Sequence, residues 1–189
     1  MNKISGFILG CLVWQATGYA DIVGYSGVIS LKAESAMMRA EHHHDWSAAT
    51  HEARLKMFST TQNPFTAENN YAYLSLQDKK TGAQLFRRPV PALSYLWVSP
   101  GSKYIVGISN IMLLNPYQLV VFSKTGKRLL ERNLVGASWP GVTQSVTNWI
   151  RWYKEPVPKI TIVEKEETAT LSVEDPLGIM REFQFAVAH

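Results

Sequence analysis

"YQLVVFSKTGKRLLER" (117–132) decides how the rest of this sequence is read. An apolar run ends in Lys124-Thr125-Gly126, a turn signal, and a second apolar run follows, so the stretch reads as one β-hairpin. Sliding the chain by 44 residues lays "YLSLQDKKTGAQLFRR" (73–88) on it, matching the tyrosine, the Lys-Thr-Gly triplet, a leucine and the final arginine. A third, weaker copy is "LSVEDPLGIMREF" (171–183), with Leu171, Val173 and Gly178 on Leu119, Val121 and Gly126.

The strands ahead of these hairpins correspond as well. "YLWVSPGSKYIVG" (95–107) gives a tryptophan strand, a proline turn and a strand beginning at Lys103; "NWIRWYKEPVPKITIV" (148–163) has the same order, its last strand beginning at Lys159. Residues 93–132 and 146–185 therefore read as two four-stranded units of about 40 residues, a period associated with propeller blades. A third sheet is expected to join a strand at 23–31 with the hairpin at 71–88. Period-two alternation runs through the chain, as in "KITIVEK", where Ile160 and Ile162 share a face, and "EFQFAV", where Phe183, Phe185 and Val187 do. The expected fold is mainly β, an antiparallel meander of two to three small repeat-like sheets.

"SPGSKYIVGIS" followed by "YQLVVFSKTGKRL" resembles the blades of bacterial Tol-type and WD-like β-propellers, in which a Ser-Pro-Asp-Gly turn precedes an apolar strand. Gly101 and Ser102 stand where Asp-Gly is usual, and no Trp-Asp dipeptide occurs. A closed propeller takes at least four blades. This chain has length for three, so the resemblance implies an open or sandwich-like stack.

The first 20 residues carry Lys3, an apolar run from Ile4 to Trp14, and the small residues Gly18 and Ala20 at a cleavage-like site, the pattern of an export signal. A lipidated Cys11 is the competing reading. Cleavage after Ala20 leaves one domain of 169 of the 189 residues, periplasmic or secreted, and removes the only cysteine. Such a chain depends on its core, because it has no disulfide to close. The full chain has 19 Lys and Arg against 15 Asp and Glu, an excess too small and too dispersed for a nucleic-acid partner. "KTGKR" and "FRRP" read as solvated edges. No cofactor is expected.

Residues 32–60, rich in Ala, Met, Glu and Arg, read as a helical insertion. They hold four of the five histidines, His42, His43, His44 and His51. A helical metal site generally places histidines at i and i+4, and none stand so here. The expectation is a solvated cluster with ordinary imidazole pKa values of about 6.5. The alternatives are pH sensitivity, and a zinc or copper site if 41–45 are extended, with His42 and His44 joined by Asp45 or His51.

Covalent catalysis finds little to use. "GYSG" at Ser26 lacks the second spacer of a nucleophile elbow. The acidic residues at 164–167 and 174–175 fall in turns, which leaves an unrecognised carbohydrate-active enzyme as an alternative. Trp139 in a Pro-Gly turn, and Trp152 beside Arg151 and Tyr153, have the composition of contact residues. Trp97 reads as core. The expected function is non-enzymatic binding of another envelope protein, as an inhibitor, immunity-type or accessory protein.

Overall fold

The computed structural model describes residues 28–45, 63–69, 71–109, 117–133, 157–175 and 177–187. Among them run eleven strands: β1 (Val28–Glu34), β2 (Met38–Asp45), β3 (Ala72–Asp78), β4 (Gln84–Pro89), β5 (Tyr95–Val98), β6 (Tyr104–Ile108), β7 (Leu119–Ser123), β8 (Arg128–Arg132), β9 (Ile160–Lys165), β10 (Thr168–Glu174) and β11 (Met180–Ala186). They form sheet 1 (β1-β2-β3-β4), sheet 2 (β5-β6-β7-β8) and sheet 3 (β11-β10-β9). Every pairing is antiparallel and joins strands consecutive in sequence. None of the sheets closes on itself, so the chain is a meander of small open sheets. No helix among the described residues is long and apolar enough to cross a membrane.

Sheet 2 is the middle layer. Ile105, Val120 and Phe122 pack with Ala40, Leu74 and Leu76 of sheet 1. Tyr104, Val106, Ile108, Leu119 and Val121, on its other face, pack with Ala169, Leu171, Val173 and Phe185 of sheet 3. Both faces of β6 and β7 are therefore covered and all their residues are buried. That explains why "YIVGI" and "LVVFS" are nearly continuous apolar runs while the strands of sheets 1 and 3 alternate.

The repeat read from the sequence reappears in the backbone. Gly82, Gly126 and Gly178 turn the last hairpin of their respective sheets, with φ of 72°, 80° and 82°. Sheet 2 corresponds to the first predicted unit. In the second unit the strands from Ile160 onward are present, and 146–156 lie outside the described residues.

The helix expected over 32–60 is overturned where it is described: residues 32–34 lie in β1 and 38–45 in β2. Ser35 makes the hairpin between them, its N–H donating to the Met38 carbonyl at 2.9 Å and its Oγ accepting from the Met38 N–H at 3.0 Å. Alternation puts Ala40, His42 and His44 inside and Arg39, Glu41 and His43 outside, where Arg39–Glu34 and Lys32–Glu41 ion pairs bridge the strands. Burial of that inner face against sheet 2 outweighs a local helix propensity of a few tenths of a kcal/mol per residue. Residues 46–60 of the expected helix are outside the described residues.

The solvated-edge reading of "FRRP" also fails at Arg88. Its side chain turns inward and its guanidinium donates to the Gly126 carbonyl, tying β4 to the β7–β8 turn.

Candidate functional site

β5 ends sheet 2 and β1 ends sheet 1, and the two strands run beside one another. Ser99 donates its N–H to the Tyr104 carbonyl at 2.9 Å, which sets the bonded register of β5 on β6. By antiparallel alternation Trp97 pairs toward β6, while the peptide groups of Leu96 and Val98 point away from it.

Two grooves flank this strand. One, of about 730 Å³, lies between residues 32–36 and 95–98, with Val157 on its wall. The other, of about 470 Å³, lies toward sheet 3 between Trp97, Pro100, Tyr104, Ile160 and Ile162. Trp97 lines both grooves, half-buried and packed on the core beneath. It is therefore less enclosed than the core residue expected from its sequence.

The end of the first groove is held by hydroxyls. Ser35 Oγ and Ser102 Oγ are 2.6 Å apart, and Ser102 is buried with φ of 58°, a left-handed backbone that costs a non-glycine residue about 1–2 kcal/mol. The Pro-Gly-Ser turn is thus fixed against the β1–β2 turn.

A polar clamp lies in the second groove. Lys103 Nζ is 2.7 Å from Glu164 Oε2, and the Tyr104 hydroxyl hydrogen-bonds the same carboxylate. Lys103, then Tyr104, holds the Glu164 carboxyl below its ordinary range. Tyr104 is pushed up to about 12, first by burial and then by the adjoining carboxylate. This arrangement of an indole, two isoleucines and a clamped ion pair suits recognition of an extended apolar segment with polar edges.

The histidines fall elsewhere. His42 and His44 are buried, 1% and 3% exposed, on the inner face of sheet 1, which overturns the solvated-cluster expectation for this pair. His43, half-buried, faces outward, and His51 is outside the described residues. The Leu93 N–H donates to His42 Nε2 at 3.1 Å, and His44 Nδ1 is also 3.1 Å from that nitrogen. Burial, then the charge of its neighbour His44, lowers His42 to about 3; burial, then His43, lowers His44 to about 4. The ordinary pKa values expected for these two are overturned with their exposure.

Neutral imidazoles are metal ligands, but the single lone pair on His42 Nε2 already receives the Leu93 N–H. Residues 41–45 are extended and put His42 and His44 on one face, as the extended-strand alternative required, but Asp45 stands on the opposite face of β2, which removes the Asp45 branch of that alternative; its His51 branch lies outside the described residues. Among the described residues no group of three or more His, Cys, Asp or Glu is placed to hold a metal ion.

Trp139, Arg151, Trp152 and Tyr153, the contact residues expected from the sequence, lie outside the described residues. The β5 grooves join residues distant in sequence, so the tryptophan strand followed by Pro100-Gly101 is the one local signal for them. No protein-family model matches the chain, and no curated protein matches it.

Proposed function

We propose that this chain is an exported, non-enzymatic binding module that captures another protein of the cell envelope, in the manner of an inhibitor, immunity-type or accessory protein. The observation that carries this reading is the pair of grooves around Trp97. A sheet-ending strand turns the peptide groups of Leu96 and Val98 toward one groove, and an aromatic side chain walls both. Peptide groups at a strand edge offer main-chain hydrogen bonds to an extended partner, and side-chain pockets on either side add selectivity. The polar groups in the second groove pair among themselves, which favours holding a ligand over moving a proton. Export is supported by the leader-like residues 1–20, and contact roles for Trp139, Arg151, Trp152 and Tyr153 by their composition.

A photo-crosslinking amino acid placed at Pro100 or at Thr161, in full-length protein expressed in its own cells, tests the reading. One discrete adduct from both positions, absent when the crosslinker is at Glu182 on β11, is expected. Adducts of equal yield from Glu182, or none from the groove positions, would remove the grooves as the receptor surface.

A further inference from the structure

Sheet 2 is docked on both faces, and its two interfaces differ in chemistry. The core shared with sheet 3 is aliphatic and aromatic, and its titratable members among the described residues are Tyr95 and Tyr104, which keep their protons throughout the acid range. At its rim Glu164 is held below the ordinary carboxylate range by Lys103 and then Tyr104, and stays ionised at about pH 5. The buried acids of sheet 3, Glu174 and Asp175, are paired with Lys159 at 3.4 Å and Arg181 at 2.9 Å.

The interface with sheet 1 instead encloses two imidazoles. His42 and His44 stand on the inner face of β2, both buried, with ring centroids 5.3 Å apart. Because the Leu93 N–H donates to His42 Nε2, that nitrogen carries no proton, and His44 Nδ1, 3.1 Å from it, is the donor of their contact. A charged His42 would turn an N–H against both of these donors.

No described group on that face compensates a positive charge at the pair. β1 sets Leu31 opposite His42 and Ile29 opposite His44, and β3 sets Leu74 and Ala72 there. Sheet 2 covers this core with apolar side chains, and Tyr117 beside them is neutral in acid. The charged side chain on the inner face is Arg88 of β4, across Leu74 from His42, and it is itself a cation. Glu41, His43 and Asp45 point to the outer face of β2, where Glu41 meets Lys32. Burial first, and a neighbouring imidazole second, therefore hold His42 at about 3 and His44 at about 4, with Asp45 offsetting only part of the effect on His44.

An opening that brings the pair to water lets both rings take a proton near the ordinary value of about 6.5, so falling pH favours the open form below that value. No imidazole acts in this way between sheets 2 and 3. We propose that the His42–His44 pair is an acid-released latch, which between about pH 7 and 5 frees sheet 1 from sheet 2 while sheet 3 stays docked. The first groove has β1 residues on one wall and β5 on the other, so its walls part when the latch opens; the second groove, between sheets 2 and 3, is kept.

Hydrogen exchange of the full-length protein, read by mass spectrometry at about pH 7 and 5 with labelling times scaled for intrinsic exchange, compares the two interfaces within one sample. Peptides covering β1, β2 and residues 90–98 are expected to open about 25-fold more at the lower pH where one histidine is released and about 600-fold more where both are, while peptides covering β9 to β11 change little. In His42→Gln with His44→Gln the selective rise is expected to vanish, because a glutamine oxygen accepts the Leu93 N–H without titrating. Equal rises at both interfaces, which mean global unfolding, would overturn the latch. So would the absence of a rise at β1 and β2, or a selective rise that survives in the double variant. The comparison within the wild-type protein decides the matter even where the double variant fails to fold.

Discussion

The backbone N–H of Leu93 donates to Nε2 of His42 at 3.1 Å, fixing the connection that leads from sheet 1 into sheet 2 to a buried imidazole. The bond requires an unprotonated Nε2, so the junction between the sheets depends on His42 staying neutral.

Acid should therefore weaken the fold early. Above about pH 7 both His42 and His44 are neutral whether folded or unfolded, and stability is flat. Below the unfolded value of 6.5, the unfolded chain takes up protons that the folded sheet refuses until about pH 4 for His44 and about pH 3 for His42. Stability then falls by about 1.4 kcal/mol per pH unit for each histidine, or about 2–4 kcal/mol for the pair between pH 7 and 5. Urea unfolding at these two pH values measures the drop. His42→Gln with His44→Gln, in which an amide oxygen can still accept the Leu93 N–H, should make stability nearly independent of pH over this interval.

Gly126 and Gly82 occupy the same place in their hairpins but should respond differently to alanine. At Gly126 a Cβ would lie 2.8 Å from the Phe86 ring, whereas at Gly82 nothing comes within 4 Å. Both have positive φ, so Gly82→Ala should cost about 1–2 kcal/mol from the backbone alone. Gly126→Ala should cost about 2–4 kcal/mol, because overpacking against Phe86 is added. Equal losses in thermal unfolding would show that the turn yields to Phe86 without penalty.

Tyr104 should report on the clamp. Glu164→Gln removes the carboxylate that disfavours the phenolate, so the Tyr104 pKa should fall from about 12 while burial keeps it above 10. Ultraviolet titration of the phenolate measures this directly. Stability should change by less than about 1 kcal/mol, as expected for a partly exposed ion pair.

Trp139→Ala and Trp152→Ala should weaken partner capture while leaving the urea midpoint close to that of the parent chain, as expected of contact residues. Trp97→Ala should lower both, because the same indole walls the grooves and packs on the core. The loss of stability should be about 1.5–3 kcal/mol, below that of a fully enclosed tryptophan. Unfolding of Trp139→Ala as severe as that of Trp97→Ala would place Trp139 in the core.

The hairpins were legible because turn chemistry is local: the glycines at 82, 126 and 178 announce left-handed positions wherever the sheets go. β2 was not legible. Its inner positions are Ala40, His42 and His44, which do not read as an apolar stripe, and its composition favours a helix. What makes it a strand is the face of sheet 2 beneath it, whose residues Ile105, Val120 and Phe122 lie far along the chain.

Because every strand pairs with its neighbour in the chain, each sheet can form as soon as its own residues are available, with only short loops to close between most partners. Such local pairing favours rapid formation for a β protein. The step that must wait is the docking of sheets 1 and 3 on the two apolar faces of sheet 2. A chain cut short before β9 would complete sheet 2 yet leave Tyr104, Val106, Ile108, Leu119 and Val121 without their cover. Such a fragment would carry an exposed apolar sheet face, the kind of surface through which incomplete chains aggregate.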